Sequence, residues 1–580
     1  MSSTFSGLEV AKRALHTQQA ALYTTGHNIA NANTEGYTRQ RVNMSPTSPP
    51  YPPASRNRPE IPGQVGSGVE AGSIERIRDS FIDKQFRQEN TKVGFYETKA
   101  DMMSKMEAIL NEPSEAGLSE IMDQFWKSLQ DLSVHPEDSG ARSVVKERGI
   151  AVANAFNYIN DSLQQVRSNL KNEIGVDNKA VNSLIDQINQ LNGQIAKIEP
   201  HGYVANDLYD ERDRLVDQLS EYVDINVDYR ESSGQPSPIA QGIATISLHS
   251  TDHKGDPILL VNGKKDAPPA PGSLQAVNHV FVDFDDTGNV KALFFAEPDP
   301  NKTAEQQSVD LVGTITDNNN GTTNDTTNDA AFIYADEFQL QGKLKSLVEG
   351  TGYLEGFQYD DGSGTVGTPG TPAGEFNVML NKLDQMVQNF VMEFNAVHQQ
   401  GYDLNNDTGV NFFDPAGTTA STIAVDAAII SDTDKIAAST NEDTDGDGTA
   451  DNTGSSGNGE NATRLANVYT NRVEEFVTYN DADLTNDPTI DEKSSIKGYF
   501  ESIIGEMGVN AQESMRMQNN SQILRQQVEE SRQAISSVSL DEEMTNMIQF
   551  QHAYNAAARN MTAVDEMLDR IINNMGLVGR

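Results

Sequence analysis

Two seven-residue seams, one at each end of the chain, limit what it can fold into more than any other feature. Leu8, Leu15, Leu22 and Ile29 fall seven apart, with Ala11, Gln18 and Thr25 at the intermediate positions, which is the spacing of a narrow helical stripe. Those intermediate positions are small or polar, so a lone helix of this kind buries too little apolar surface and needs a partner. The C-terminus carries a match. Ser539 stands three residues before Glu542 as a capping-box start, and Leu540, Met544, Met547, Gln551, Tyr554, Ala558, Met561, Asp565, Leu568, Ile572 and Met575 then alternate by four and three. A methionine-rich stripe at this spacing reads as packing surface rather than a cofactor site. Two incompletely apolar helices thus enclose everything else, and they either pair with each other or associate with neighbouring subunits.

Between the ends the periodicity changes twice. Leu524, Val528, Ile535 and Val538 suggest another helix before a break at 536–539. Residues 80–230 read as helices, carried by Phe86, Met102, Met106, Ile109 and Leu110, then by Ile121, Phe125, Trp126 and Leu129 after a punctuation at Pro113 and Ser114. Val181, Leu184, Ile185, Ile188, Leu191 and Ile195 predict a long amphipathic helix, and "ANDLYDERDRLVDQLSEYVDINV" one more before a strand-like end. Near residue 232 the pattern shifts to "GIATISLHS", "DPILLVNG", "AVNHVFVDFD" and "NVKALFFAE", short runs separated by Gly, Asp and Asn, which predict an antiparallel sheet. "DNNNGTTNDTTND" at 317–329 is low in complexity and reads as a loop. Helical spacing returns at Leu380, Leu383, Val387, Phe390, Phe394 and Val397, so the sheet is inserted into a helical scaffold. At 580 residues the chain exceeds what one core usually supports, and several domains are expected.

The chemistry open to this chain is narrow. Its 85 acidic against 43 basic residues give a formal charge of -42, which opposes nucleic-acid phosphates and anionic lipid headgroups. With no cysteine, disulfides, thiolate metal sites and a cysteine nucleophile are excluded. "MSSTFSGLEVAKRALHTQQ" lacks a basic stretch followed by an apolar run, so any route out of the cell is expected to need no cleaved signal. "GSGTVG" at 362–367 has the glycine spacing of a dinucleotide site, but no strand precedes it and Pro369 and Pro372 oppose the required helix. His249 and His253 have no metalloprotease-spaced glutamate and read as surface histidines. One oxygen-rich pattern is sharper. "DTDGDGTAD" places Asp443, Asp445, Asp447 and Asp451 at loop positions one, three, five and nine with Gly448 at six, which suits calcium; Gly454 stands where the bidentate glutamate belongs, so a solvated acidic loop is the competing reading.

The stretch "NIANANTEGYTRQRV" at 28–42 stops the first helix. Its asparagines tolerate left-handed conformations and bond to nearby backbone, Gly36 permits a reversal, and Tyr37, Arg39 and Arg41 offer stacking and charge to adjacent subunits. With "SGLEVAKRALHTQQAALYTTGH" before it, this segment resembles the N-terminal signature of the bacterial flagellar rod, hook and hook-associated proteins. "LDEEMTNMIQFQHAYNAAARNMTAVDEMLDRIINNMG" resembles their C-terminal signature, and the "GYTRQRV" form is similar to that of the hook-associated branch.

The resemblance implies a multi-domain α+β fold: N- and C-terminal helices paired as a coiled coil (1–65 with 520–580), a helical rod-like domain (66–235 with 376–400 and 493–519), an inserted antiparallel β domain (236–375) and a second outer insertion with the acidic loop (401–492). It implies a non-enzymatic, extracellular structural protein that joins hook to filament by helical polymerisation of its terminal helices. Export through the flagellar type III apparatus is implied too, and no cofactor is required, calcium being the one that the aspartates admit. The implied partners are neighbouring subunits, the hook protein, the next hook-associated junction protein and an export chaperone on the C-terminal helix, with no nucleic acid and no membrane insertion. Leu8, Leu15, Leu22, Ile29, Asn31, Gly36 and Tyr37, with Leu540, Met544, Met547, Tyr554, Met561, Leu568 and Ile572, are the expected assembly interface. The competing function is a calcium-dependent extracellular surface-binding module, which has no need for paired seams at both ends.

Overall fold

The first helix, α1 (Phe5–Ala30), lies along the last, α12 (Leu540–Asn574). Asn28 bonds Glu543 at one end of the pair, and a side chain at Gly7 would sit 3.7 Å from Val564 at the other, so the two helices run antiparallel. The sequence places Leu8, Leu15, Leu22 and Ile29 at the centre of the stripe; they are half-buried flanks. The buried residues of α1 are Ala11, Thr17, Ala21, Thr24, Thr25 and Asn28, because short side chains let neighbouring backbone approach closely where leucines hold it apart. On α12, Met547, Tyr554, Met561 and Leu568 are half-buried as expected, whereas Leu540, Met544 and Ile572 remain exposed within the single chain.

In this computed structural model the described residues are 5–47, 66–110, 117–263, 277–317, 331–359, 367–441, 453–470 and 495–574. The low-complexity run after Asp317, residues 362–366 of the glycine motif and Asp443, Asp445, Asp447 and Asp451 lie outside them.

A hairpin of β1 (Gln40–Pro46) and β2 (Val69–Arg76), absent from the sequence reading, packs on α1. Thr17 Oγ1 donates to the Val69 carbonyl there at 3.2 Å. The helical body follows: α2 (Ser80–Leu110), α3 (Leu118–Val134), α4 (Ser139–Ile198) and α5 (Asn206–Tyr222), with α8 (Glu375–Gln399) and α11 (Ile496–Ser536) returning to it later. α11 runs beside α2. At 60 residues α4 is about 90 Å long, the spine on which the other elements pack. Its Asp138 cap accepts from Gly140 N at 2.8 Å, and its Val181, Leu184, Ile185, Ile188 and Ile195 are buried as the periodicity requires.

The β region forms two sheets rather than one, and carries helices that the alternating runs hid. β3 (Ile225–Arg230), β4 (Ile243–Thr251) and β5 (Pro257–Val261) are antiparallel. The second sheet runs β10 (Thr371–Ala373), β9 (Tyr353–Glu355), β7 (Val290–Ala296), β6 (His279–Phe284), with β8 (Ala331–Tyr334) also on β7; its β7–β9 contact is parallel, against the antiparallel expectation. Helices α6 (Ala304–Asp317) and α7 (Lys343–Thr351) lie between its strands. The later insertion, with α9 (Ala427–Ser431) and α10 (Glu460–Asn467), shares the main core: Phe412 and Phe413 meet Phe125 and Phe394, and Tyr469 stacks on Trp126 at 4.9 Å. Buried Arg142 of α4 donates to the carbonyls of Pro136 and Ile436, each at 2.7 Å, tying this insertion to the helical body.

Candidate assembly joint

α1 ends at Ala30, and the chain then folds back over its last turn. Gly36 sits at φ +79°, where any side chain is strained. The asparagines meet one half of the expectation, bonding to nearby backbone, and not the other. Among the described residues Asn406 alone of the non-glycines has a positive φ, and the asparagines of the motif work through their amides. Asn31 Nδ2 donates to the His27 carbonyl at 3.1 Å and Asn31 Oδ1 accepts from Thr34 Oγ1 at 3.2 Å. Asn28 is 1% exposed, and all four hydrogen-bonding positions of its amide are used: Nδ2 donates to Gln40 O (2.8 Å) and Glu543 Oε2 (3.1 Å), while Oδ1 accepts from Gln40 N (3.0 Å) and Tyr37 OH (2.8 Å). Since that hydroxyl proton goes to Asn28, the His27 Nδ1 2.9 Å from it is the donor of the pair. Burial, then the Asp207 carboxylate, pushes the Tyr37 hydroxyl well above its ordinary pKa, so it stays a donor.

Arg39 stands where the two ends of the chain meet the helical body. Its N–H donates to Ser536 O at 2.9 Å, at the end of α11, and its carbonyl accepts from Ile77 N at 2.8 Å, at the start of the run into α2. Its guanidinium grips the first turn of α12: Nε bonds Glu543 at 2.8 Å, and Nη1 and Nη2 bond the two Glu542 oxygens at 3.0 and 2.6 Å. The bidentate bond to Arg39 holds the Glu542 carboxyl below its usual range. The capping box is therefore half built. Glu542 N approaches Ser539 Oγ at 3.5 Å, but the glutamate side chain is committed to Arg39. The sequence assigned Tyr37 and Arg39 to adjacent subunits; both are engaged inside the chain, while Arg41 pairs with Glu75 at 2.7 Å and stays exposed.

Beneath this crossing lies a charge cluster that the sequence reading missed. Asp210, Asp213 and Asp217 fall on one face of α5 and collect arginines from separate segments. Arg76 bonds Asp210 at 2.6 Å and Asp213 at 3.0 Å, Arg87 bonds Asp217 at 2.8 Å, and Arg532 of α11 bonds Asp217 at 2.5 Å. Arg78 pairs with Asp83 at 2.6 Å and lies 3.6 Å from Asp213. Thr38 N donates to Asp210 at 3.1 Å, so the turn of the N-terminal motif rests on the same helix. Burial alone would raise the Asp213 carboxyl, but Arg78, Arg76, Arg212 and Arg87 outweigh it and hold Asp213 far below its ordinary pKa. Asp210, with less cationic company, is raised by its burial. The acids at i, i+3 and i+7 in "DLYDERDRLVD" were a readable sign of one acidic helix face, though nothing in that segment says which arginines would arrive. Among the described residues no group of three or more acids and histidines is placed to hold a metal ion, and no helix is long and apolar enough to cross a membrane.

What the joint and the paired ends define is a subunit of the flagellar axial class. Residues 8–38 match the family described as flagella basal body rod protein, and residues 531–575 match flagellar basal body rod FlgEFG protein C-terminal. Residues 103–413 match the flagellar hook-associated protein FlgK helical domain. The chain is 39% identical to flagellar hook-associated protein 1 of Bacillus subtilis over the whole of both chains, and 24% identical to that of Escherichia coli across 97% of this chain and 98% of the relative. The solved flagellar hook junction protein FlgK of Burkholderia pseudomallei shares the fold at a TM-score of 0.52 and 12% identity, covering 79% of this chain and 100% of that one. The chain belongs to the flagellar hook-associated protein 1 family, and is a structural component of the flagellum at the hook–filament junction.

Proposed function

We propose that copies of this chain form the junction layer by helical polymerisation through their ends, with α1 and α12 as an inner coiled coil and the β region facing outward. The observation that carries this is a set of large apolar side chains left uncovered after the ends have paired. On α12, Leu540 (46% exposed), Met544, Ile548, Met567, Ile571 and Ile572 (70%) are exposed in the single chain, and Phe5 and Tyr23 of α1 with Ile523 and Leu524 of α11 add to the apolar surface. Large apolar side chains grouped on one element mark a surface that a neighbour covers. The hook protein below, the next hook-associated protein above and an export chaperone on α12 are the further partners in this reading, with no enzymatic step. A calcium ion on Asp443, Asp445, Asp447 and Asp451 would be an addition that assembly does not require, detectable as a calcium-dependent rise in Tm lost on substituting the aspartates.

The test separates the outward face from the folded chain. Ile548→Asp leaves α1 and its contacts untouched, so the purified variant melts with the parent, while cells carrying it are expected to make hooks of normal shape and lose filament protein to the medium, the outcome also expected of a deletion strain. An exported Ile548→Asp chain that still supports full-length filaments overturns the assignment of this face.

A further inference from the structure

We propose that the Asn28–Glu543–Arg39 node sets the register in which the two terminal helices pair, a task that their apolar seam cannot perform. Both seams repeat every seven residues. Along α1 run Gly7, Ala14, Ala21 and Asn28; along α12 run Glu543, Phe550, Ala557 and Val564 in one row and Met547, Tyr554, Met561 and Leu568 in the other. The two observed contact points, Asn28 with Glu543 and Gly7 with Val564, lie twenty-one residues apart on each helix, three full repeats. Sliding one helix past the other by a single repeat therefore sets small residues of α1 against apolar residues of α12 much as before. Close packing of small and mixed apolar residues discriminates weakly between such registers.

The polar node discriminates strongly. Glu543 is 2% exposed and is satisfied by Arg39 Nε and Asn28 Nδ2, at 2.8 and 3.1 Å. A slide by one repeat in one direction leaves that carboxylate against Ala21, away from both partners; in the other it sets Phe550 against the Asn28 amide. Each outcome strands buried polar groups, which is the device by which a single polar pair in a helical seam fixes alignment. Arg39 holds the node to the body as well, because its backbone is hydrogen-bonded to Ser536 and Ile77 whatever the seam does.

The absence of cysteine makes the register directly readable. Three double variants of the full-length chain are oxidised, both purified and in isolated flagella, and their cross-links mapped by peptide mass spectrometry: Gly7→Cys/Val564→Cys for the observed register, and Gly7→Cys paired with Ala557→Cys or Ile571→Cys for the slipped ones. With the node intact, the first pair cross-links in about tenfold excess or more, as expected for a buried charge that must keep its partners. With Asn28→Leu and Glu543→Leu added, the slipped pairs rise to within about threefold of it, since only seam packing then remains to choose. A general loss of structure would weaken all three pairs together and would not favour the slipped ones. As a second variant set, Arg39→Glu scrambles the pattern and adding Glu542→Arg and Glu543→Arg restores it. The proposal is overturned if the intact chain forms slipped and observed pairs equally, or if the node variants keep the parent's preference or lose all three pairs alike while the reversed charges fail to restore it. Absence of the chain from flagella would instead bear on the junction role.

Discussion

Asp213 carries the highest stakes of any side chain in the joint. It is fully enclosed, and Arg76, Arg78, Arg87 and Arg212 surround it. Removing a buried charge from such a group costs more than the ion pair contributes, because the arginines stay desolvated. Asp213→Ala should destabilise the chain by about 3–5 kcal/mol in chemical unfolding. Truncating an exposed partner, as in Arg41→Ala, should cost about 1 kcal/mol or less. His398 makes an independent prediction. It is wholly buried, with Nδ1 near Val410 O and Nε2 accepting from Ala437 N at 3.0 Å, so it is neutral, and burial lowers its pKa to about 4. The unfolded chain, with a histidine pKa near 6.5, binds the proton first as pH falls. The stabilising contribution is thus complete above about pH 6.5 and lost progressively down to about pH 4, amounting to about 3 kcal/mol. In His398→Asn the fall in urea midpoint between about pH 7 and pH 4.5 should be shallower than in the parent. An identical slope would mean that His398 is charged when folded.

At the scale of elements, close approach is what the sequence pattern reports least. α2 meets α5 at Gly94, where an added Cβ would lie 2.2 Å from the Glu221 carbonyl oxygen. Backbone cannot retreat as a side-chain tip does, so Gly94→Ala should force the helices apart and cost about 1–3 kcal/mol, seen as a lower Tm. An unchanged Tm would show that α5 can shift freely. The same limit explains the terminal seam. A seven-residue repeat in the sequence identified both helices and the half-buried Met547, Tyr554, Met561 and Leu568, yet put α1's leucines at the centre, since hydrophobicity ranks Leu above Ala while helix contact distance favours Ala11 and Ala21. The capping box was legible, and its diversion to Arg39 was not, because that partner lies 503 residues away. The β1–β2 hairpin escaped notice for a similar reason: "QRVNMSP" and "VEAGSIER" carry little alternating hydrophobicity and take their order from packing on α1.

For the molecule as a whole, the inserted order of helices, sheets and helices was readable from the change of period at residue 232 and its return at Leu380. The charge cluster on α5 was not, since Arg76, Arg78 and Arg87 come from one part of the chain and Arg532 from another, both distant from α5, and only the fold makes them neighbours. The terminal unit is joined covalently to the helical body at just two described places, the run from Arg76 into α2 and the break between α11 and α12. Arg39 is hydrogen-bonded between them, on one side to Ile77 and on the other to Ser536. Within one chain, load passing along the backbone between the terminal helices and the body runs through these two segments, beside the contact of Thr38 with α5. Because Arg39 stitches the two segments side by side, neither can stretch without dragging the other, and such a load is shared between them instead of falling on a single linker.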